Sequence, residues 1–169
     1  MTNPFSAHAP ETTVAQHHDA SRWATYRHLT HWAATPLNRL QPMLALAARL
    51  FVGQVFFLAG LTKLRDWSST LDLFAYEYQV PLLPPPVAAV LGTGAELVLP
   101  VLLVLGLGGR LAALGLFAVN VVAVLSLPDM PEAAFQLHVF WGSLLAGLVA
   151  WGPGCWSVDG WLERRLRAA

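Results

Sequence analysis

The sequence holds one cysteine, Cys155. A single thiol excludes an internal disulfide, a CxxC redox pair and a cysteine-based metal site built by one chain, so any thiol chemistry needs a partner. Charge is scarce too: Asp, Glu, Lys and Arg make up 12% of the residues, against roughly 25% in an ordinary soluble domain. Ten basic residues balance ten acidic ones. The basic residues are scattered, which leaves neither a nucleic-acid footprint nor a polybasic lipid-binding cluster. There is no internal repeat. Residues 1–35 lack the apolar core of a signal peptide and contain His17, His18 and Asp19. They are expected to be retained, with the first apolar run acting as an uncleaved signal anchor.

Apolar residues make up 56% of the chain and gather into long runs. One of these, PVAAVLGTGAELVLPVLLVLGLGGR at 86–110, contains a single carboxylate, Glu96. A run of about 20 apolar residues matches the hydrocarbon thickness of a bilayer. A charged side chain near its centre costs roughly 2.5–3.5 kcal/mol on insertion scales, so it is kept only with a partner.

Hydropathy predicts four spans, at 43–64, 87–107, 111–127 and 133–151. The fold class expected is an all-α integral membrane protein, a four-transmembrane-helix bundle with a flexible N-terminal tail and short interfacial helices. Residues 1–20 read as a disordered tail, 21–35 as an amphipathic interfacial helix with Trp23 and Trp32 at headgroup level, 43–152 as the membrane domain and 153–169 as a cytoplasmic amphipathic tail. A further interfacial helix is expected at 71–78, ended by Pro81, Pro84, Pro85 and Pro86. Pro100 invites a kink beside Glu96, and the small residues Gly142, Ser143, Ala146 and Gly147 invite close approach of a neighbouring helix. Lys and Arg counts put both termini in the cytoplasm, with Lys63 and Arg65 on the other side.

Counted inward at about 1.5 Å per residue, Arg49 lies roughly 9 Å and Glu96 roughly 15 Å from the cytoplasmic end. An Arg49–Glu96 ion pair would relieve both insertion costs. Gln54 and Asn120 fall near mid-membrane and would complete a polar seam. Two readings are open: the seam only fixes helix register, or Glu96 is a proton-bearing or ligand-binding carboxylate facing a cavity.

A second polar group, Lys63, Arg65, Tyr76, Glu77, Tyr78, Asp129, Glu132 and His138, gathers at the opposite mouth. Taken singly, Lys63 is expected to snorkel to the headgroups and His138 to be an ordinary packed histidine. Together they suit a quinone headgroup or another small polar ligand. His17 and His18 have no fixed third ligand, so no metal site is expected. Six of the seven tryptophans fall near predicted interfaces as an aromatic belt. Trp141 alone is placed to pack inside the bundle.

The run ARLFVGQVFFLAGLTKL with Arg49, Gly53, Gly60 and Lys63, then YEYQVP ending at Pro81, then AELVLPVLLVLGLGGR with Glu96, Leu97, Gly106 and Arg110, resembles the DoxX family of small bacterial four-helix membrane proteins. The resemblance covers residues 46–150. Pro100 departs from it, standing where such proteins often carry a small residue. Arg49, Gly60, Lys63 and Glu96 are the positions that carry over.

The resemblance implies an inner-membrane subunit or anchor of a redox or stress-related complex, since relatives are associated with thiosulfate:quinone oxidoreductases and with thiol and oxidative-stress defence. It leaves the roles of those positions open; on a redox reading, a quinone would bind in the polar seam, Glu96 paired with Arg49 would take up the proton, and a partner's cofactor would carry the electrons. No self-contained catalytic site is seen. Alternatives are a small transporter-like subunit moving protons or a solute, and a non-catalytic assembly factor docking through 23–32 and the C-terminal arginines. The partners expected are the lipid bilayer and a protein partner or a homo-oligomer, with no nucleic acid.

Overall fold

The computed structural model describes residues 40–168. The chain divides into two units, Met1–Leu40 and Gln41–Ala169, and the second is described here. The tail expected at 1–20 and the interfacial helix expected at 21–35 lie outside the described residues.

All regular structure among the described residues is helical. Helix α1 spans Leu40–Arg65, α2 Trp67–Tyr76, α3 Pro85–Leu105, α4 Gly109–Ser126, α5 Glu132–Trp151 and α6 Val158–Arg167. Among the described residues, helices α1, α3, α4 and α5 are the four long and apolar enough to cross a membrane. Their ends follow local chemistry. Asp66 starts α2 at Trp67, four residues before the start expected from the apolar pattern, because its carboxylate accepts from the Ser69 backbone N–H at 3.0 Å and from the Ser68 and Ser69 hydroxyls. Proline at the first turn opens α3, and Gly106, at φ +67°, closes it. Pro100 sits buried inside an uninterrupted α3.

The four spans form a closed ring. Helix α3 packs on α4 and α4 on α5, Phe56 of α1 meets Trp141 of α5 edge to face at 6.2 Å, and α1 lies against α3 through its glycines. A Cβ on Gly60 would sit 2.9 Å from Leu97 Cγ and 3.1 Å from Glu96 Cβ, and one on Gly53 would sit 2.7 Å from Val104 Cγ2. Those contacts set the register: Gly60 opposes Glu96 and Leu97, and Gly53 opposes Pro100 and Val104. The core inside the ring is Val52, Phe56, Leu103, Ala112, Ala113, Leu116, Leu145 and Leu148. Outward positions such as Leu50, Leu58, Val98, Leu111 and Leu125 are exposed. Helices apolar on both faces, with most of their surface outside the bundle, are solvated by lipid.

Candidate functional site: a polar pair in an apolar cavity

Glu96 projects from the buried face of α3, and its partner is Lys63. Lys63 Nζ donates to Glu96 Oε2 at 2.6 Å, with the two side chains 19% and 12% exposed. This corrects two expectations: Lys63 does not snorkel outward, and Glu96 does not pair with Arg49. The reason is register. Gly53 and Gly60 of α1, packed against α3, bring residues 60–63 to the level of Glu96. Arg49 lies beside Gly106, where any side chain would collide with its Nη1. Ten residues of α3 separate the two levels, about 15 Å of helix.

Arg49 is fully buried and has a different role. Its Nη2 donates to the Trp156 carbonyl at 2.5 Å, and its Nε and Nη1 have no partner among the described residues. The segment it holds is fastened further by Asp159. The Asp159 carboxylate accepts from the Gly108 and Gly109 backbone N–H groups at 2.9 and 2.8 Å, while its own N–H donates to the Gly106 carbonyl at 3.0 Å. Asp159 therefore caps the start of α4 from the far end of the sequence. Reading the sequence alone missed this latch, since nothing local pairs Asp159 with glycines fifty residues away.

Asn120 also leaves the expected seam. It is buried on α4 and bonds to His138 of α5, donating from Nδ2 to the His138 carbonyl at 3.0 Å with Oδ1 2.8 Å from His138 Nδ1. Gly142, one turn on, makes room for that amide, since a Cβ there would lie 3.1 Å from Asn120 Nδ2. Gln54 is exposed on α1, because it stands off the stripe formed by Arg49, Val52, Gly53, Phe56 and Gly60.

Lys63, Glu96, Tyr78 and His138 line one cavity of about 420 Å³ bounded by the end of α1, by α2, α3, α4 and α5 and by the loops at their ends. Its walls are otherwise mainly apolar, with Phe74, Leu83, Leu91, Val119, Val122 and Met130 among them. Phe74 fixes Tyr78 by an edge-to-face contact at 5.1 Å. Burial first, then the Glu77 and Glu96 carboxylates, push the Tyr78 hydroxyl above its ordinary range, so it stays a neutral hydrogen-bonding group. Of the mouth residues expected to gather here, Arg65, Tyr76, Glu77, Asp129 and Glu132 do not line the cavity. The described residues contain no cluster of three or more His, Cys, Asp or Glu side chains arranged to hold a metal ion.

Four apolar helices packed in a ring, with a half-buried ion pair between two of them, define a multi-pass membrane protein. The chain belongs to the DoxX family, whose sequence pattern matches residues 44–129, slightly more than half of its 169 residues. No curated protein and no solved structure matches it. The matched stretch carries Arg49, Lys63, Tyr78, Glu96 and Asn120, whereas α5 with His138 and Trp141 lies beyond it.

Proposed function

We propose that this protein is a membrane subunit of a redox complex that binds a quinone-type ring beside Lys63 and Glu96. The observation that carries the reading is a charged, hydrogen-bonded pair in the wall of an otherwise apolar cavity of about 420 Å³. Ligand pockets for small molecules run to roughly 300–1,000 Å³, mostly apolar with a few placed polar groups. A quinone supplies two-electron, two-proton chemistry when bound. The chain's own residues would hold it: Leu83, Leu91, Val119, Val122 and Met130 against the ring, and Lys63 and the Tyr78 hydroxyl as donors to its oxygens. Glu96 would hold or release a proton at Oε1, the oxygen not engaged by Lys63. Electrons would come through a partner's cofactor.

A transporter-like path is less well supported, because the lining on α3 runs only from Ala88 to Glu96 and on α4 only from Ala118 to Ser126. Arg49, at the other end of α1, is not part of it. The Lys and Arg count supports an inner-membrane orientation with cytoplasmic termini.

The test is extraction in mild detergent and mass spectrometry of bound quinone and copurifying proteins, for wild type, Glu96→Gln and Lys63→Met. Quinone in wild type and its loss in both variants supports the reading. A wild-type protein that keeps a soluble partner but carries no quinone, and takes up none when it is added, overturns the quinone site and leaves an anchor.

A further inference from the structure

Asn120 and His138 hold each other through two hydrogen bonds, and the pair admits one arrangement. Turned over, the Asn120 amide would set its oxygen against the His138 carbonyl oxygen, two acceptors facing each other. With Nδ2 committed to that carbonyl at 3.0 Å, Oδ1 is the atom 2.8 Å from His138 Nδ1. A neutral imidazole must then carry its proton on Nδ1, and Nε2 is left with a lone pair. No described residue hydrogen-bonds Nε2, and Nε2 is not among the sealed, unpartnered polar atoms of the bundle. The ring itself is fixed edge to face against Trp141 at 5.0 Å, and Trp141 against Phe56. His138 lines the cavity that holds Lys63 and Glu96.

We propose that His138 Nε2 is a fixed hydrogen-bond acceptor for the cavity's ligand, selecting the reduced, hydroxyl-bearing form of a quinone-type ring, and that Asn120 is the positioning residue that holds the tautomer. This rests on the ligand class proposed above. A quinone oxygen has only lone pairs and would face the Nε2 lone pair unfavourably. A ring hydroxyl donates to it. Glu96 is a second acceptor for a ring hydroxyl, held at Oε2 by Lys63, and Ser126 is already committed to the Val122 carbonyl at 2.6 Å; Lys63 and the Tyr78 hydroxyl can donate to an oxygen of either form, so the discrimination falls to His138.

The experiment is anaerobic binding of a short-chain benzohydroquinone and its matching benzoquinone to the full chain in detergent, at pH 8, above the ordinary imidazole pKa of about 6.5. Wild type is expected to hold the hydroquinone roughly three- to tenfold more tightly, the worth of one hydrogen bond. His138→Phe, which keeps an aromatic ring against Trp141, should abolish the preference, with hydroquinone affinity falling to that of the quinone. Asn120→Leu should weaken the preference and turn the single Nδ1–H tautomer in the 15N spectrum of His138 into a mixture. Equal affinities in wild type, or a preference that survives His138→Phe, overturn this inference and leave the quinone site standing. Failure of both rings to bind wild type removes both.

Discussion

Lys63 Nζ and Glu96 Oε2 stand 2.6 Å apart across the α1–α3 contact, each with less than a fifth of its side chain exposed. Such a pair is weak evidence for stability as a whole, yet each member depends on the other, because removing one leaves an uncompensated charge in an apolar wall. Glu96→Gln and Lys63→Met should each lower the unfolding midpoint in detergent. The double variant should lose less than the sum, with a coupling of roughly 1–2 kcal/mol. Additive losses would show that the two side chains do not sense each other.

Gly60 makes that meeting possible. Gly60→Val places branched methyls where even a Cβ stands 2.9 Å from Leu97 Cγ, and overpacking of this kind costs typically 1–3 kcal/mol. We expect a lower unfolding midpoint and loss of the Lys63–Glu96 coupling. Wild-type stability in this variant would mean that α1 and α3 are farther apart than described.

Arg49 serves the opposite end of the bundle. Arg49→Leu removes the charged donor to the Trp156 carbonyl. Hydrogen exchange in 155–168 should accelerate tenfold or more, from a lost bond of about 1.5 kcal/mol. Exchange in α3, α4 and α5 should change little. Equal acceleration throughout would make Arg49 a general core residue rather than the tether of the C-terminal segment.

Asp159→Ala tests the latch from its other side. Loss of a helix cap costs typically 0.5–2 kcal/mol, and here the cap also joins α6 to α4. Amides at Gly108 and Gly109 should lose protection together with the start of α6. Protection lost at one of the two sites alone would separate the cap from the tether.

Acid should loosen α2 before the spans. Ser69, through its side chain and backbone, and then Ser68 donate to Asp66 and hold its carboxyl down at about 2, below its usual value of 3.8. A group depressed in the folded state contributes stability above its unfolded pKa and loses it as pH falls through the folded value. Amide protection at the start of α2 should therefore fall between about pH 4 and pH 2, and Asp66→Asn should flatten that profile. A profile unchanged by the substitution would assign the acid response elsewhere.

The four spans were legible because length and hydropathy are one-dimensional properties. Each observed helix lies within a few residues of the expected run, and the shifts trace to caps such as Asp66 and Gly106. The polar residues were legible too: Glu96, Lys63, Asn120, His138 and Arg49 all stand buried or half-buried. Their partners were not. Depth counted from the ends of the apolar runs assumed that the start of α1 is level with the end of α3, whereas α1 begins at Leu40 and only Arg49, nine residues on, stands beside Gly106 at the end of α3. Rotation about the helix axis, which puts Gln54 outside, was not counted at all.

Length and hydropathy dictate that this chain crosses a membrane in four helices and that a few ionisable side chains must find partners there, because transfer of charge and backbone into lipid is costly wherever it occurs. The pairs themselves follow from helix packing. Glycine contacts between α1 and α3 set a register that gives Glu96 to Lys63 and leaves Arg49 to the C-terminal segment, and close packing of α4 on α5 gives Asn120 to His138. Those assignments depend on which side chains leave room for a neighbouring helix, a property of two surfaces in contact rather than of either run alone.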